Sequence, residues 1–187
     1  MKITRPIRAV LFDMDGVMVD SEFVYMKYLL EFAKEKNPAV TMEDINQMVG
    51  RSRQDSWTVM ERAVNNGETW ETLIKEWAER DIYSRIDYRK IFRPEMKTTV
   101  QELKRRGYTV ALVSSTGPKL ISRIVEEVGM RPEFDLIVSG KQFKQSKPNP
   151  EIYHYTADTL GIREDECFVV EDSTVGIEAA YRAGMSI

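Results

Sequence analysis

At 187 residues the chain has room for one full α/β core and a smaller appendage, since domains commonly hold roughly 100 to 200 residues. Hydrophobic residues at 42% and charged residues at 30% exclude the disordered and fibrous classes. The 27 basic and 30 acidic residues leave a formal charge of -3, too small and too mixed to point to nucleic acid or a membrane as partner.

In chain order, the lead from Met1 to Pro6 lacks the apolar stretch of a signal peptide, and Cys167, the single cysteine, cannot close an internal disulfide. A cytoplasmic protein is therefore expected. Arg8 to Phe12 is a short apolar run that delivers Asp13 at its C-terminal end, the pattern of a buried strand. From Ser21 to Ile91 helical periodicity takes over. Phe23, Met26, Leu29, Leu30 and Ala33 make one apolar stripe, ended by Pro38, and Thr41 with Asp44 resembles a capping box. Gly50 closes that short helix, and Trp70, Leu73, Ile74 and Trp77 make a later stripe. The spacing predicts a helical insert of about four helices over residues 21–91, flanked by one domain made of residues 1–20 and 92–187.

Past the insert, Tyr108 to Val113, Phe134 to Val138 and Cys167 to Val170 read as three further strands. Helical stretches over Thr98 to Arg106, Lys119 to Val128 and Glu151 to Leu160 each run into a glycine, which takes the left-handed turn that ends a helix without a Cβ penalty. This alternation predicts a doubly wound, parallel-sheet (Rossmann-like) α/β fold.

Folds of this kind bind ligands at the carboxyl ends of their strands, and polar residues collect there. Asp13-Met14-Asp15-Gly16 offers two carboxylates at i and i+2 and a glycine that lets the chain turn away; the same residues also suit an ordinary turn. Glu171-Asp172 follows the fourth strand, so four carboxylates gather at one sheet edge if the first and fourth strands are parallel neighbours. Mg2+ wants such oxygen ligands and keeps several waters, so two or three carboxylates suffice. Ser114, with Ser115 beside it, ends the second strand, and Lys147 follows the third by a short loop. A helix cap and a solvated surface lysine are the competing readings of Ser114 and Lys147. His154, the only histidine, lies on a predicted helix and reads as a packing or surface residue. Walker, G-x-G-x-x-G and G-x-S-x-G motifs are missing, which disfavours P-loop kinases, dinucleotide enzymes and serine hydrolases.

Taken together, Asp13-Met14-Asp15-Gly16, Ser114, Lys147-Pro148 and Glu171-Asp172 resemble the four motifs of the haloacid dehalogenase superfamily in order and position. Asn149-Pro150-Glu151-Ile152-Tyr153 is similar to that family's text after the lysine, and Asp172 to Ile177 with Ala179, Ala180, Ala183 and Gly184 to its fourth motif and helix. The likeness covers essentially the whole chain. The insert resembles the small helical cap of the branch containing β-phosphoglucomutase and sugar-phosphate phosphatases.

The resemblance implies Asp13 as nucleophile and Asp15 as general acid and base, with Ser114, Lys147 and backbone N–H groups near Gly16 and Ser115 holding the phosphoryl oxygens. It implies Mg2+ at Asp13, Asp172 and the Asp15 carbonyl, with Glu171 a direct or water-mediated ligand. Gly50 to Ser56 looks like the branch's cap loop, with Arg53 first and Arg51 second to grip a small phosphorylated metabolite, which the resemblance implies is a sugar phosphate or a similar compound. Two enzyme readings share these motifs. The mutases carry a histidine where Tyr25 stands here, and Asp20-Ser21-Glu22 is closer to the phosphatase members, so hydrolysis is expected and a phosphosugar mutase is the alternative. A catalytically silent binding protein on the same fold is the remote one. The chain stops at Ile187 where the family continues into another strand and helix, from which an exposed sheet edge and a stability below that of longer relatives are expected. Oligomeric state is not encoded in any of these features.

Overall fold

The computed structural model describes residues 5–187, so the reading of Met1 to Thr4 falls outside the described residues. The chain divides into two compact units: a sheet unit, made of the N-terminal stretch through Asp20 together with Asp87–Ile187, and a helical unit, Ser21–Ile86. Strand β1, Ala9–Phe12, is buried along its whole length, as its unbroken apolar run requires.

The helical unit holds α1 (Ser21–Lys36), α2 (Met42–Asn46), α3 (Arg53–Val64), α4 (Trp70–Glu79) and the single turn α5 (Ile82–Arg85). The capping box at α2 is present in full: Thr41 N–H donates to Asp44 Oδ2 at 2.8 Å, and Asp44 N–H to Thr41 Oγ1 at 3.3 Å. The core of this unit is aromatic, with Phe32 and Trp77 ring centroids 5.5 Å apart and Trp57 and Trp77 6.3 Å apart. One expected stripe residue departs from it. Phe23 is 66% exposed, because α1 turns Met26, Leu29, Phe32 and Ala33 inward and leaves its first turn at the surface.

In the sheet unit the remaining elements are α6 (Glu95–Arg105), β2 (Thr109–Ser114), α7 (Pro118–Glu127), β3 (Leu136–Ser139), α8 (Glu151–Leu160), β4 (Cys167–Val170) and α9 (Thr174–Arg182). Helix α6 begins three residues ahead of Thr98, since Pro94 and Glu95 supply a ready first turn. The short 3-10 turn Tyr88–Lys90 belongs here too: Tyr88 N–H donates to Glu127 Oε1 at 2.9 Å, and the Arg123 guanidinium lies 5.4 Å over the Tyr88 ring.

All strands pair in parallel, in the order β3-β2-β1-β4, a doubly wound parallel α/β sheet. Leu11, Val113, Val138 and Val169 pack one face against Ile152, Tyr153 and Ala157 of α8 and Ala179 and Ala180 of α9. On the side of β4 away from β1, Val169 N–H donates to Ser186 O at 2.8 Å and Ser186 N–H to Cys167 O at 3.1 Å. The expected edge is therefore not bare along that stretch. Register places Phe12 beside both Leu112 and Val170, so Asp13 and Glu171 leave the sheet side by side, level with Val113 of β2. No helix among the described residues is long and apolar enough to cross a membrane.

Candidate active site

Asp13 is the first residue past β1, and its N–H donates to Val170 O at 2.9 Å, carrying the β1–β4 ladder one step further. Its side chain is buried, and the Lys147 ammonium meets Asp13 Oδ1 at 2.7 Å. Lys147 also donates to Glu171 Oε2 at 2.6 Å and to Val113 O at 3.3 Å. Its side chain is 4% exposed, so the surface-lysine reading is excluded. Three strand ends thus share one cation: β1 through Asp13, β2 through Val113 and β4 through Glu171.

Glu171 is held on every side. Beyond Lys147, the Tyr153 hydroxyl donates to its Oε2 at 3.1 Å, and Ser173 gives Oε1 both its N–H at 3.2 Å and its hydroxyl at 2.7 Å. Ser173 also caps α9, its Oγ accepting the Gly176 N–H at 3.1 Å. A Cβ on Gly176 would run into the Glu171 carboxylate. Gly16 has the same property toward Asp172: its φ of 78° suits glycine, and a Cβ there would fall on the Asp172 carboxylate. The Gly16 N–H is used within its own loop, donating to Val19 O at 2.8 Å, so Gly16 shapes the site by its bareness.

Oxygens of Asp13, Glu171 and Asp172 lie within 4.8 Å of one another. One ammonium among three carboxylates leaves a deficit of positive charge, and the acidities record it. Burial pushes the Asp13 carboxyl up to about 7, with Lys147 pulling the other way and Glu171 and Asp15 adding to the rise. Burial, Glu171 and Asp15 raise Asp172 as well. Glu171 is held low: burial opposes its ionisation, but Lys147 and the two Ser173 donors outweigh it. Lys147 is raised, since burial, which favours the neutral amine, loses to the charges of Asp13 and Glu171. A hard divalent cation would supply the missing charge, and the oxygen-only donor set fits Mg2+.

Ser114 is fully buried, and its Oγ accepts the Thr116 N–H at 3.1 Å. A hydroxyl oxygen used as acceptor still has its hydrogen to give. Asp15 accepts the Thr116 hydroxyl on Oδ2 at 2.9 Å. Ser115 is exposed and packed close to Gly140 in the loop after β3.

The sheet unit therefore gathers Asp13, Lys147, Glu171 and Asp172, with Ser114 and Asp15 joined through Thr116. The two arginines belong to the helical unit. Arg53 is exposed on the first turn of α3 near Tyr25, and Arg51 Nε donates to Gln47 O at 2.6 Å. His154 lies half-exposed on α8, with Nδ1 2.9 Å from Glu164 Oε1.

Thr116, Tyr153 and Ser173 were not singled out from the sequence. Tyr153 had one signal, because it shares the inward face of α8 with Ala157, and a polar tip on a buried face needs a partner.

Comparison with known proteins adds four likenesses. The profile of the haloacid dehalogenase-like hydrolases matches residues 10–187. A phosphorylated carbohydrates phosphatase of Thermotoga maritima is 26% identical over 181 residues, covering 96% of this chain and 82% of the relative. A phosphoglycolate phosphatase of Photorhabdus laumondii is 28% identical over 189 residues, covering 98% and 80%. Among solved structures, a β-phosphoglucomutase of Clostridium difficile superposes with a TM-score of 0.67 at 23% identity, over 96% of this chain and 82% of the other, a likeness of fold.

Proposed function

This chain belongs to the haloacid dehalogenase-like hydrolases, and from that membership we propose a magnesium-dependent phosphatase that hydrolyses a small phosphorylated metabolite through an aspartyl-phosphate on Asp13. The observation that carries the reading is the buried Asp13 carboxylate, 2.7 Å from the Lys147 ammonium and grouped with oxygens of Glu171 and Asp172 within 4.8 Å. Relatives named for phosphorylated carbohydrates and phosphoglycolate support a substrate of that size, and a sugar phosphate is the class we assign.

In the first half-reaction an Asp13 oxygen attacks phosphorus, the bond from phosphorus to the substrate oxygen breaks, and Asp15 gives that oxygen a proton. In the second, water attacks the phosphorus of the aspartyl-phosphate, Asp15 takes a proton from the water, and phosphate leaves with Asp13 restored. Lys147 and the Ser114 hydroxyl hold the phosphoryl oxygens, with backbone N–H groups of the loop after Asp13 and of Ser115 beside them. Asp13, Asp172 and the Asp15 carbonyl would hold Mg2+ with Glu171 next to them, and the ion supplies positive charge that offsets repulsion between the phosphoryl oxygens and the carboxylate. Arg53 and then Arg51 are the helical unit's candidates for the part of the substrate that does not react.

Hydrolysis is favoured over phosphoryl transfer between sugars because Tyr25, which stands where the mutases carry a histidine, is no proton acceptor near neutrality. Burial raises its pKa, outweighing the Trp77 Nε1–H that its hydroxyl oxygen accepts at 3.1 Å, which lowers it. A cytoplasmic setting suits the free, buried thiol of Cys167.

Phosphate release from p-nitrophenyl phosphate and a panel of sugar phosphates, with and without Mg2+, tests the assignment. Magnesium-dependent turnover that Asp13→Asn lowers by at least about a thousandfold is expected. Equal turnover by wild type and Asp13→Asn would exclude the aspartyl-phosphate, and a folded wild type inert toward the whole panel would exclude the phosphatase.

A further inference from the structure

Ser139, the last residue of β3, is buried and gives its hydroxyl hydrogen to Thr116 O at 2.6 Å, while its oxygen accepts the Lys141 N–H at 3.3 Å. On its other side Thr116 donates its N–H to Ser114 Oγ at 3.1 Å. Both backbone polar groups of Thr116 are therefore fixed, one by the end of β3 and one by the end of β2. Gly140 tightens this brace, since a Cβ there would come within 3.1 Å of Ser115 Cα. The one rotor left is the hydroxyl, and it donates to Asp15 Oδ2 at 2.9 Å. A run of hydrogen bonds thus crosses from β3 through the loop after β2 to the loop after β1.

A carboxyl group turns easily about its last bond, because a torsion onto a trigonal carbon is broad. Proton transfer nevertheless needs one oxygen within hydrogen-bond reach of the reacting atom in each half-reaction, and a misplacement of about 1 Å can cost on the order of a hundredfold. Resting on the phosphatase reading above, we propose that Thr116 is a positioning residue for Asp15: its hydroxyl clamps Oδ2, so that Oδ1 carries the proton first to the leaving oxygen and then from the water. Thr116 acts through Asp15 and bonds to neither substrate nor phosphoryl group. Its contribution is confined to the rate of the two proton transfers and leaves substrate affinity alone.

Thr116→Val keeps the side-chain shape and removes the donor, and Thr116→Ser keeps the donor. The first is expected to lower kcat by about 10- to 100-fold with KM within about twofold, and the second to restore kcat to within about threefold of wild type. In an Asp15→Ala background, Thr116→Val should cost less than about twofold more, because the clamp has nothing to hold. Thr116→Ala, read against Thr116→Ser, replaces the valine variant if that one does not fold. Turnover that stops with Asp13→Asn but is untouched by loss of the Thr116 hydroxyl would overturn this inference alone, as would a serine variant no better than valine or a full additional loss in the Asp15→Ala background. A wild type without turnover would overturn both this inference and the phosphatase.

Discussion

The two units hold their shape with different materials. In the sheet unit the strands are short apolar runs, mostly of small and aliphatic residues and buried at every position in β1, and the functional groups stand at their ends, where register sets them level. In the helical unit large rings do the filling. Phe32 touches Trp57 and Trp77, and the Arg80 guanidinium sits 4.5 Å over its ring while Arg80 also pairs with Glu35 and Glu76. Where backbone register and two glycines shape a site, the danger is an added atom. Where interlocked rings make a core, the danger is a missing one.

Three measurements would break or sharpen that contrast. The largest effect is expected from Trp77→Ala. Trp77 packs on Tyr25, Phe32 and Trp57 with centroids 5.5, 5.5 and 6.3 Å away, and its indole N–H is bonded to Tyr25. Deleting it should cost about 3–5 kcal/mol in urea unfolding followed by circular dichroism. A loss under about 1 kcal/mol would mean that the ring core repacks freely and that the contrast is false.

Next in size is Gly16→Ala, the added-atom case, because the new methyl group falls on the Asp172 carboxylate. Calorimetric titration should show Mg2+ affinity down by about 10- to 100-fold. Gly67→Ala is the matched control: φ is 89° there, yet a Cβ would meet nothing within 4 Å, so backbone strain is paid without any change in Mg2+ binding. Equal affinities for the two variants would show that φ, and not the crowded carboxylate, is what glycine provides at Gly16.

The smallest effect is in pH. With the metal-free Asp13 carboxyl at about 7, a proton must leave before a cation can bind, so Mg2+ affinity should rise by about tenfold between pH 6 and pH 8. The sign follows from burial, which stabilises the acid in the metal-free protein, and the raised Asp172 acts in the same direction. Titration at both pH values in two buffers of different ionisation enthalpy would also count the released proton. A flat affinity with no proton release would place Asp13 outside the cation site.

Much of this architecture was legible from spacing. Glu151 to Leu160 was read to its bounds because Gly161 stops it at a φ of 64°, and the four strand runs were visible because each ends in a polar residue or a turn. Ser114, Lys147 and the acidic pairs could be picked out on the rule that strands of a parallel sheet end at the ligand. The expectation that β1 and β4 are parallel neighbours, on which their gathering hung, holds. Harder to see were bonds between residues far apart in the chain. Thr116 and Asp15 are separated by 101 positions, and Lys147 and Asp13 by 134. Such pairs follow from the strand order β3-β2-β1-β4, which local periodicity does not carry. Phe23 shows the converse limit: periodicity marks which residues could face inward, and only the packed neighbours decide that its turn of α1 stays outside.

The pairing of Ser186 with β4 bears on time as well as space. Between Cys167 and Val169 that strand is hydrogen-bonded on both flanks, by β1 on one side and by Ser186 on the other. Amide hydrogens locked in this way exchange with solvent only when the surrounding sheet opens. The Val169 amide, bonded to Ser186, should report whether this flank opens apart from the rest of the sheet. If it exchanges as slowly as the amides of β1, the strand leading to Glu171 and Asp172 opens only with the whole sheet, and the acidic pair keeps its place for as long as the fold itself lasts.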